Sequence, residues 1–143
     1  MEDFDYSEMS QNIYSTFYVD VNGRAFPDEQ WTDFPFAILR TWSENLIANV
    51  INMKSSVFDL TFFDGPYSIE CSNNQGQIAM RFVNNRHYRV VEFEHNISSN
   101  DLVRSVYKTS ERLIWQIEQR QYGPVRDVEE LKGLVKLIVN FLQ

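Results

Sequence analysis

The sequence predicts an α+β fold: an antiparallel meander sheet of about five to six strands, with helices packed mainly on one face. Three observations carry this prediction. Between Val57 and Glu94, apolar and polar residues alternate in four successive runs, the period of strands with one covered face. The links between those runs are short and polar, whereas parallel pairs need long crossovers. One longer stretch before the runs and two after them space their apolar residues by three and four, the period of a helix. Strands and helices segregated in this way belong to the α+β class.

Taken in order, residues 1–12 read as a flexible lead-in. Ile13 to Val21 reads as one strand, with Phe17, Val19 and Val21 opposite Tyr14, Thr16, Tyr18 and Asp20. Asn22-Gly23 is a tight-turn signal because both residues tolerate positive φ. A short return through Arg24, Ala25 and Phe26 closes a small hairpin before Pro27. Asp28 to Pro35 reads as irregular, with Trp31 and Phe34 tucked inward. Asp33 is expected to cap the next element, with Pro35 at its first helical position.

Phe36 to Met53 reads as a long helix. Leu39, Trp42, Leu46, Val50 and Met53 form its stripe, and Ile38, Ile47 and Ile51 widen it. Ser55 to Ser72 then reads as a hairpin. Phe58, Leu60 and Phe62 face one way, Val57, Asp59 and Thr61 the other. Asp64-Gly65-Pro66 breaks the run, and Tyr67, Ile69 and Cys71 resume it against Ser68, Glu70 and Ser72. Asn73 to Gly76 is a polar turn. Gln77 to Val83 places Ile78, Met80 and Phe82 on one face. His87 to Glu94 is the last strand, with Val91 and Phe93 inward.

Two C-terminal helices complete the fold. In the first, Ser98 or Ser99 caps, Asp101 favours the positive end of the helix dipole, and Leu102, Val106, Leu113 and Ile117 form the covered stripe. Gly123-Pro124 ends it. The second runs from about Asp127 to Phe141, with Leu131, Leu134, Val135, Ile138 and Leu142 inward. The wet face of the sheet is expected to show Asp20, Asp59, Thr61, Glu70, Arg81, Arg89, Tyr14, Tyr18 and Tyr88, a mixture of charge and tyrosine suited to binding.

At 143 residues the chain has the size of a single domain, 1–143, with enough large side chains for a full core. Its one cysteine rules out an intrachain disulfide and suits a reducing compartment. The N-terminal stretch is acidic and lacks the basic start and apolar run of a signal peptide. No apolar run approaches the roughly 18 residues of a membrane span. The expected location is therefore cytoplasmic, with no membrane partner.

Charge is unevenly placed. Residues 1–70 carry 12 acids and 3 bases, a net −9, and residues 71–143 carry 8 acids and 10 bases. A strongly negative half opposes direct binding to nucleic acid and favours a basic protein partner. The alternative is that these acids serve solubility alone. Basic residues and tyrosines of the second half show no signature of a single-strand binder.

Candidate chemistry is sparse. Cys71 falls on the apolar face of its strand and reads as a core residue rather than a nucleophile served by His87 or His95. Histidine, cysteine and carboxylate spacings match no zinc or calcium motif. The glycines are scattered, without a phosphate loop. No catalytic residue, cofactor or metal is expected, and the protein is read as other than an enzyme.

Two stretches are distinctive together: Val21 to Pro27 (VNGRAFP) leading into Trp31 to Phe34 (WTDF), and Phe63 to Tyr67 (FDGPY). The pattern resembles a family of small bacterial proteins that act as immunity partners of polymorphic toxins. The resemblance spans roughly Tyr18 to Glu94 and fades in the last two helices. It implies inhibition of a cognate toxin's C-terminal domain, a tRNA nuclease delivered by a neighbouring cell. In such a complex carboxylates would stand where RNA phosphates bind. Asp20, Asp28, Glu29, Asp59, Asp64 and Glu70 are the candidate contacts, with Trp31 and Tyr67 as aromatic anchors. Asp64 and Asp33 equally suit structural roles, one holding a turn and the other capping a helix. Two alternatives stay open: a small-molecule-binding or enzymatic domain with a pocket between sheet and helices, and an adaptor whose exposed sheet face meets another protein or a second copy.

Overall fold

The computed structural model describes residues 4–7, 12–120 and 125–142, and side chains over 13–120 and 126–142. The expected helix stop at Gly123-Pro124 lies outside the described residues, as do positions 1–3 and 8–11 of the lead-in. The fold is α+β with antiparallel sheets. The single sheet of five to six strands is corrected: the strands divide into three sheets.

The largest is a four-stranded meander of β6 (Val57–Thr61), β7 (Tyr67–Asn74), β8 (Gln77–Asn84) and β9 (Val90–Ser98), in that order. Its alternation is as expected. Phe58, Leu60, Phe62, Ile69, Cys71, Ile78, Met80 and Phe82 are buried, and Val57, Asp59, Thr61, Ala79 and Arg81 are exposed. The β7–β8 turn is Gln75–Gly76, at φ 54 and 88, so Asn73 and Asn74 belong to the strand. The last strand begins at Val90, later than expected, and runs on to Ser98.

A bulge explains where the alternation of β9 fails. Phe82 pairs with Phe93 but Val83 pairs with Val91, so Glu92 is the extra residue. Phe93 stacks on Phe82 at 4.2 Å between ring centroids, whereas Val91 stands across from Val83 instead of sharing the inward face. Glu92 accepts a hydrogen bond from Asn84 at 3.1 Å and lies 3.9 Å from Arg24.

The predicted strand Ile13–Val21 breaks at Phe17–Tyr18. Its first half, β2 (Asn12–Thr16), pairs with β1 (Phe4–Ser7) on one side and with β5 (Thr32–Asp33) on the other. Thus Phe4–Ser7, expected within a structureless lead-in, forms a strand, and the segment read as irregular contributes another. Its second half, β3 (Val19–Val21), forms a hairpin with β4 (Arg24–Phe26) around Asn22–Gly23, as the turn signal predicts. The break lets Ile13, Ser15 and Phe17 face the core while the hairpin turns toward the main sheet. There, fully buried Phe26 meets Phe62, Tyr67, Phe82 and Phe93 edge-on, at 5.2–6.0 Å between centroids. Burying one such ring contributes about 1.5–3 kcal/mol.

Helix α1 (Pro35–Leu46) has Pro35 in its first turn and runs into a π-helical turn, Ile47–Ile51. Leu39, Trp42, Leu46 and Val50 are buried as predicted. Met53 is a correction: it takes φ 53, ends the helix as the Lys54 amide returns to the Ala48 carbonyl, and is 78% exposed. Helix α2 (Ser99–Arg120) starts with the Ser98 hydroxyl accepting the Asp101 amide at 3.1 Å. Leu102, Val106, Leu113 and Ile117 are buried, joined by Val103 and Ile114. Helix α3 (Val125–Leu142) buries Val128, Leu131, Val135 and Ile138. Helix α1 packs on β6 and α2 on β9, while α3 packs on both helices. No described helix is long and apolar enough to cross a membrane.

At the outer margin of β6, Trp42 donates its indole N–H to the Thr61 carbonyl at 2.7 Å. The Ser55 hydroxyl donates to the Val57 carbonyl at 2.8 Å and accepts the Val57 amide at 3.2 Å.

Candidate functional site

Two distinctive stretches that lie thirty residues apart in sequence form one unit. Asp33 is fully buried at the end of β5, and its carboxylate gathers four donors. Oδ1 accepts the Phe34 amide at 2.8 Å. Oδ2 accepts the Trp31 indole N–H at 2.9 Å and the amides of Phe63 and Asp64 at 3.1 and 3.2 Å. The expected cap is therefore corrected: Phe34 occupies the N-cap position without a side-chain bond, and Asp33 pins the 63–66 loop to the strand before α1. A buried carboxylate is tolerated when charge-assisted hydrogen bonds fill its lone pairs.

Gly65 completes the join. A Cβ there would stand 2.6 Å from Trp31 Cη2, so only glycine lets the indole lie against the loop. Trp31 also meets Tyr67 edge-on at 5.1 Å between centroids, and the Arg86 guanidinium lies 5.9 Å from the Tyr67 ring centre. Both predicted anchors are thus half-buried and held by their own chain. The aromatic ring that this loop presents to solvent is Phe63, 46% exposed, which sequence reading missed.

Asp64 is exposed and accepts the Tyr14 hydroxyl at 2.7 Å, and the Tyr14 oxygen accepts the Thr32 hydroxyl at 2.6 Å. The Thr32 bond favours the phenolate. The bond to Asp64, burial, and the charges of Asp64 and Asp33 outweigh it and raise the Tyr14 phenol above its ordinary 10.0. Asp28 and Glu29 lie in a turn beside the same Trp31. The Asp28 carboxylate accepts the Gln30 amide at 2.8 Å, and its carbonyl accepts the Trp31 amide at 3.2 Å.

Asp59 and Glu70 stand elsewhere, on the outward face of the meander. They are cross-strand partners in a row that continues through Arg81 to Glu94. Arg89 reaches in from the β8–β9 loop and clasps Glu70 with two bonds, Nη2 to Oε1 at 2.6 Å and Nε to Oε2 at 3.1 Å. That clasp, together with Arg81 at 3.9 Å, holds the Glu70 carboxyl below its ordinary 4.5 against the opposing effect of burial. Glu70 is therefore already paired, whereas Asp59 makes no ion pair with any described residue.

Asp20 is brought to neither group. It sits on the β3–β4 hairpin, where its Oδ1 accepts the Gly23 amide at 2.8 Å, and it lines a cleft on the covered side of the sheet. Its expected place on the wet face is corrected by the strand break at Phe17–Tyr18. The cleft has a volume of about 390 Å³ and lies between the hairpin, α1, α2 and the sheet. Cys71 is buried in the core. Burial, with a smaller push from Asp59, drives its thiol up to about 12, which leaves it protonated and inert.

No protein-family model, curated protein or solved structure matches this chain.

Proposed function

We propose that the protein is an immunity protein: a one-to-one inhibitor that covers the basic, RNA-gripping surface of a cognate toxin nuclease. One observation supports this reading above the rest. Asp20, Asp28, Glu29, Asp59 and Asp64 are exposed and make no ion pair with any described residue. Most acids of the second half behave differently: Glu92, Asp101, Glu118, Glu129 and Glu130 are each paired with an arginine or lysine. Much of the first half's described negative charge thus resides in exposed carboxylates that have no ion-pair partner among the described residues. Such groups steer association with a basic surface and take the place of phosphates on it. Asp28, Glu29 and Asp64 adjoin Trp31 on a loop base fixed by Asp33, so part of this charge is presented without a large ordering cost.

The test is co-purification with the toxin domain encoded immediately upstream, followed by tRNA cleavage with and without the protein. A stable one-to-one complex and abolished cleavage are expected. Reversing Asp28, Glu29 and Asp59 to Lys should slow association roughly tenfold at low salt and flatten its salt dependence. Unimpaired cleavage and no complex would reject the reading.

A further inference from the structure

We propose that the outer side of β9 receives an extended segment of the cognate toxin domain, one that alternates basic and apolar side chains; the inference rests on the toxin-binding reading and names where part of that contact is made. The bonding pattern of the sheet fixes which groups are on offer. The Ser99 amide donates to the Gly76 carbonyl at 2.8 Å, one step beyond the Gln77–Ser98 pair, so that step is a hydrogen-bonded one. Antiparallel pairs alternate between bonded and non-bonded. Ile97, His95 and Phe93, opposite Ile78, Met80 and Phe82, therefore spend their N–H and C=O groups on β8. Glu94 and Asn96, opposite Arg81 and Ala79, turn theirs away from the sheet. The Gln75–Gly76 turn gives the same parity, because Asn74 and Gln77 close it as a bonded pair and direct Gln77 toward β7. Glu94 and Asn96 are both exposed, and their backbone groups have no hydrogen-bond partner among the described residues. The open run is bounded by the bulge at Glu92 and by Ser98, whose hydroxyl caps α2.

The side chains choose the occupant. On the outward face the Glu94 carboxylate makes no ion pair with any described residue; its cross-strand neighbour Arg81 lies 3.9 Å from Glu70 instead. On the covered face the neighbours are Phe93 and Ile97, both half-buried. Side chains of an added segment follow the same alternation, so a lysine or arginine meets Glu94 while apolar residues meet Phe93 and Ile97. A second copy of this chain is the poorer fit. Antiparallel pairing centred on Glu94 sets two carboxylates side by side, and any other register still joins two chains of net charge −7. A basic nuclease supplies the opposite sign.

The test is amide hydrogen exchange read by NMR on the full chain, free and bound to the toxin domain encoded immediately upstream. In the complex the Glu94 and Asn96 amides should slow at least about tenfold, whereas those of Phe93, His95 and Ile97 are already held by β8 in the free protein. Asn96→Pro removes an outward donor without touching a bond to β8, and should weaken the complex at least about tenfold. Glu94→Lys provides a second variant should the proline misfold, with a loss of about tenfold from the reversed charge. A stable, inhibitory complex in which Glu94 and Asn96 exchange as in the free protein, or one indifferent to both variants, would overturn this proposal and leave the inhibitor reading standing. No complex at all would overturn both. Slowing of the same two amides with rising protein concentration and no toxin would assign the strand to a second copy and equally overturn the proposal.

Discussion

Replacing Asp33 should be among the most costly single changes in this protein, and the cost can be worked out donor by donor. Asp33→Ala strands the Trp31 indole N–H and the amides of Phe34, Phe63 and Asp64. Phe63 and Asp64 are both exposed residues whose amides recover bonds to water. The Trp31 indole and the Phe34 amide are left part-buried, and each unsatisfied donor costs about 1–3 kcal/mol. Allowing for water entering the space vacated, the expected loss is about 3–5 kcal/mol. Asp33→Asn keeps one oxygen. If that oxygen takes the Oδ2 position, three donors are retained and only the Phe34 amide faces an NH₂ group, for about 1–2 kcal/mol. Urea unfolding followed by far-UV circular dichroism, with both midpoint and slope fitted, would measure the two. For a chain of this size each kcal/mol moves the melting temperature by about 2–4 °C, so the alanine variant should melt at least about 6 °C lower. An alanine variant within 1 kcal/mol of wild type, or an asparagine variant as costly as alanine, would refute the four-donor account.

Other perturbations test the same structure independently. Gly65→Ala places a methyl against the Trp31 ring and should cost about 1–3 kcal/mol by overpacking, read from the same unfolding curves. Cys71 should resist a thiol reagent in the native state and react only at the rate of unfolding. Because its folded pKa is raised from 9.0 to about 12, its contribution is fully present below pH 9 and is lost as pH rises toward 12. The loss is about 4 kcal/mol at most, so Cys71→Ala should flatten the alkaline limb of the stability profile. Glu70 has a lowered folded pKa, so its stabilisation is present above about pH 4.5 and fades as acid is added below that. Glu70→Gln should cost less than about 1 kcal/mol at pH 7, because the clasp with Arg89 is solvent-screened, and the cost should shrink as pH falls through the lowered folded pKa.

Elements whose pattern is local were legible in the sequence. The strands from Val57 to Phe82 alternate inward and outward residues, and a one-residue slip would have exposed Phe58, Leu60 and Phe62 together. The helical stripes hold for the same reason, since Leu39, Trp42, Leu46 and Val50 can be covered only on one side of a helix. What depends on distant partners was not legible. Thr32 and Asp33 form a strand only because Ser15 and Thr16 lie beside them, and nothing within the segment announces that pairing. The break at Phe17–Tyr18 splits an alternation that read as continuous, and with it Asp20 passes to the covered side. Asp33 looked like a helix cap because caps are local, yet two of its four donors come from thirty residues further on. The candidate acids show the same limit. Their exposure followed from strand parity for Asp59, but the clasp of Arg89 on Glu70 crosses nineteen positions.

The bonds at the outer margin of β6 bear on how the protein avoids its own kind. A terminal strand of a sheet is a template for strand addition, because its outward N–H and C=O groups await an incoming chain. Here Ser55 occupies both outward groups of Val57, and Trp42 occupies the carbonyl of Thr61. Between them only Asp59 offers a complete donor–acceptor pair, and it sets a carboxylate beside any arriving strand. An arriving strand at β6 therefore meets one open pair, at Asp59, in place of a continuous ladder. The indole that fills the core in the same gesture takes up one of the edge carbonyls.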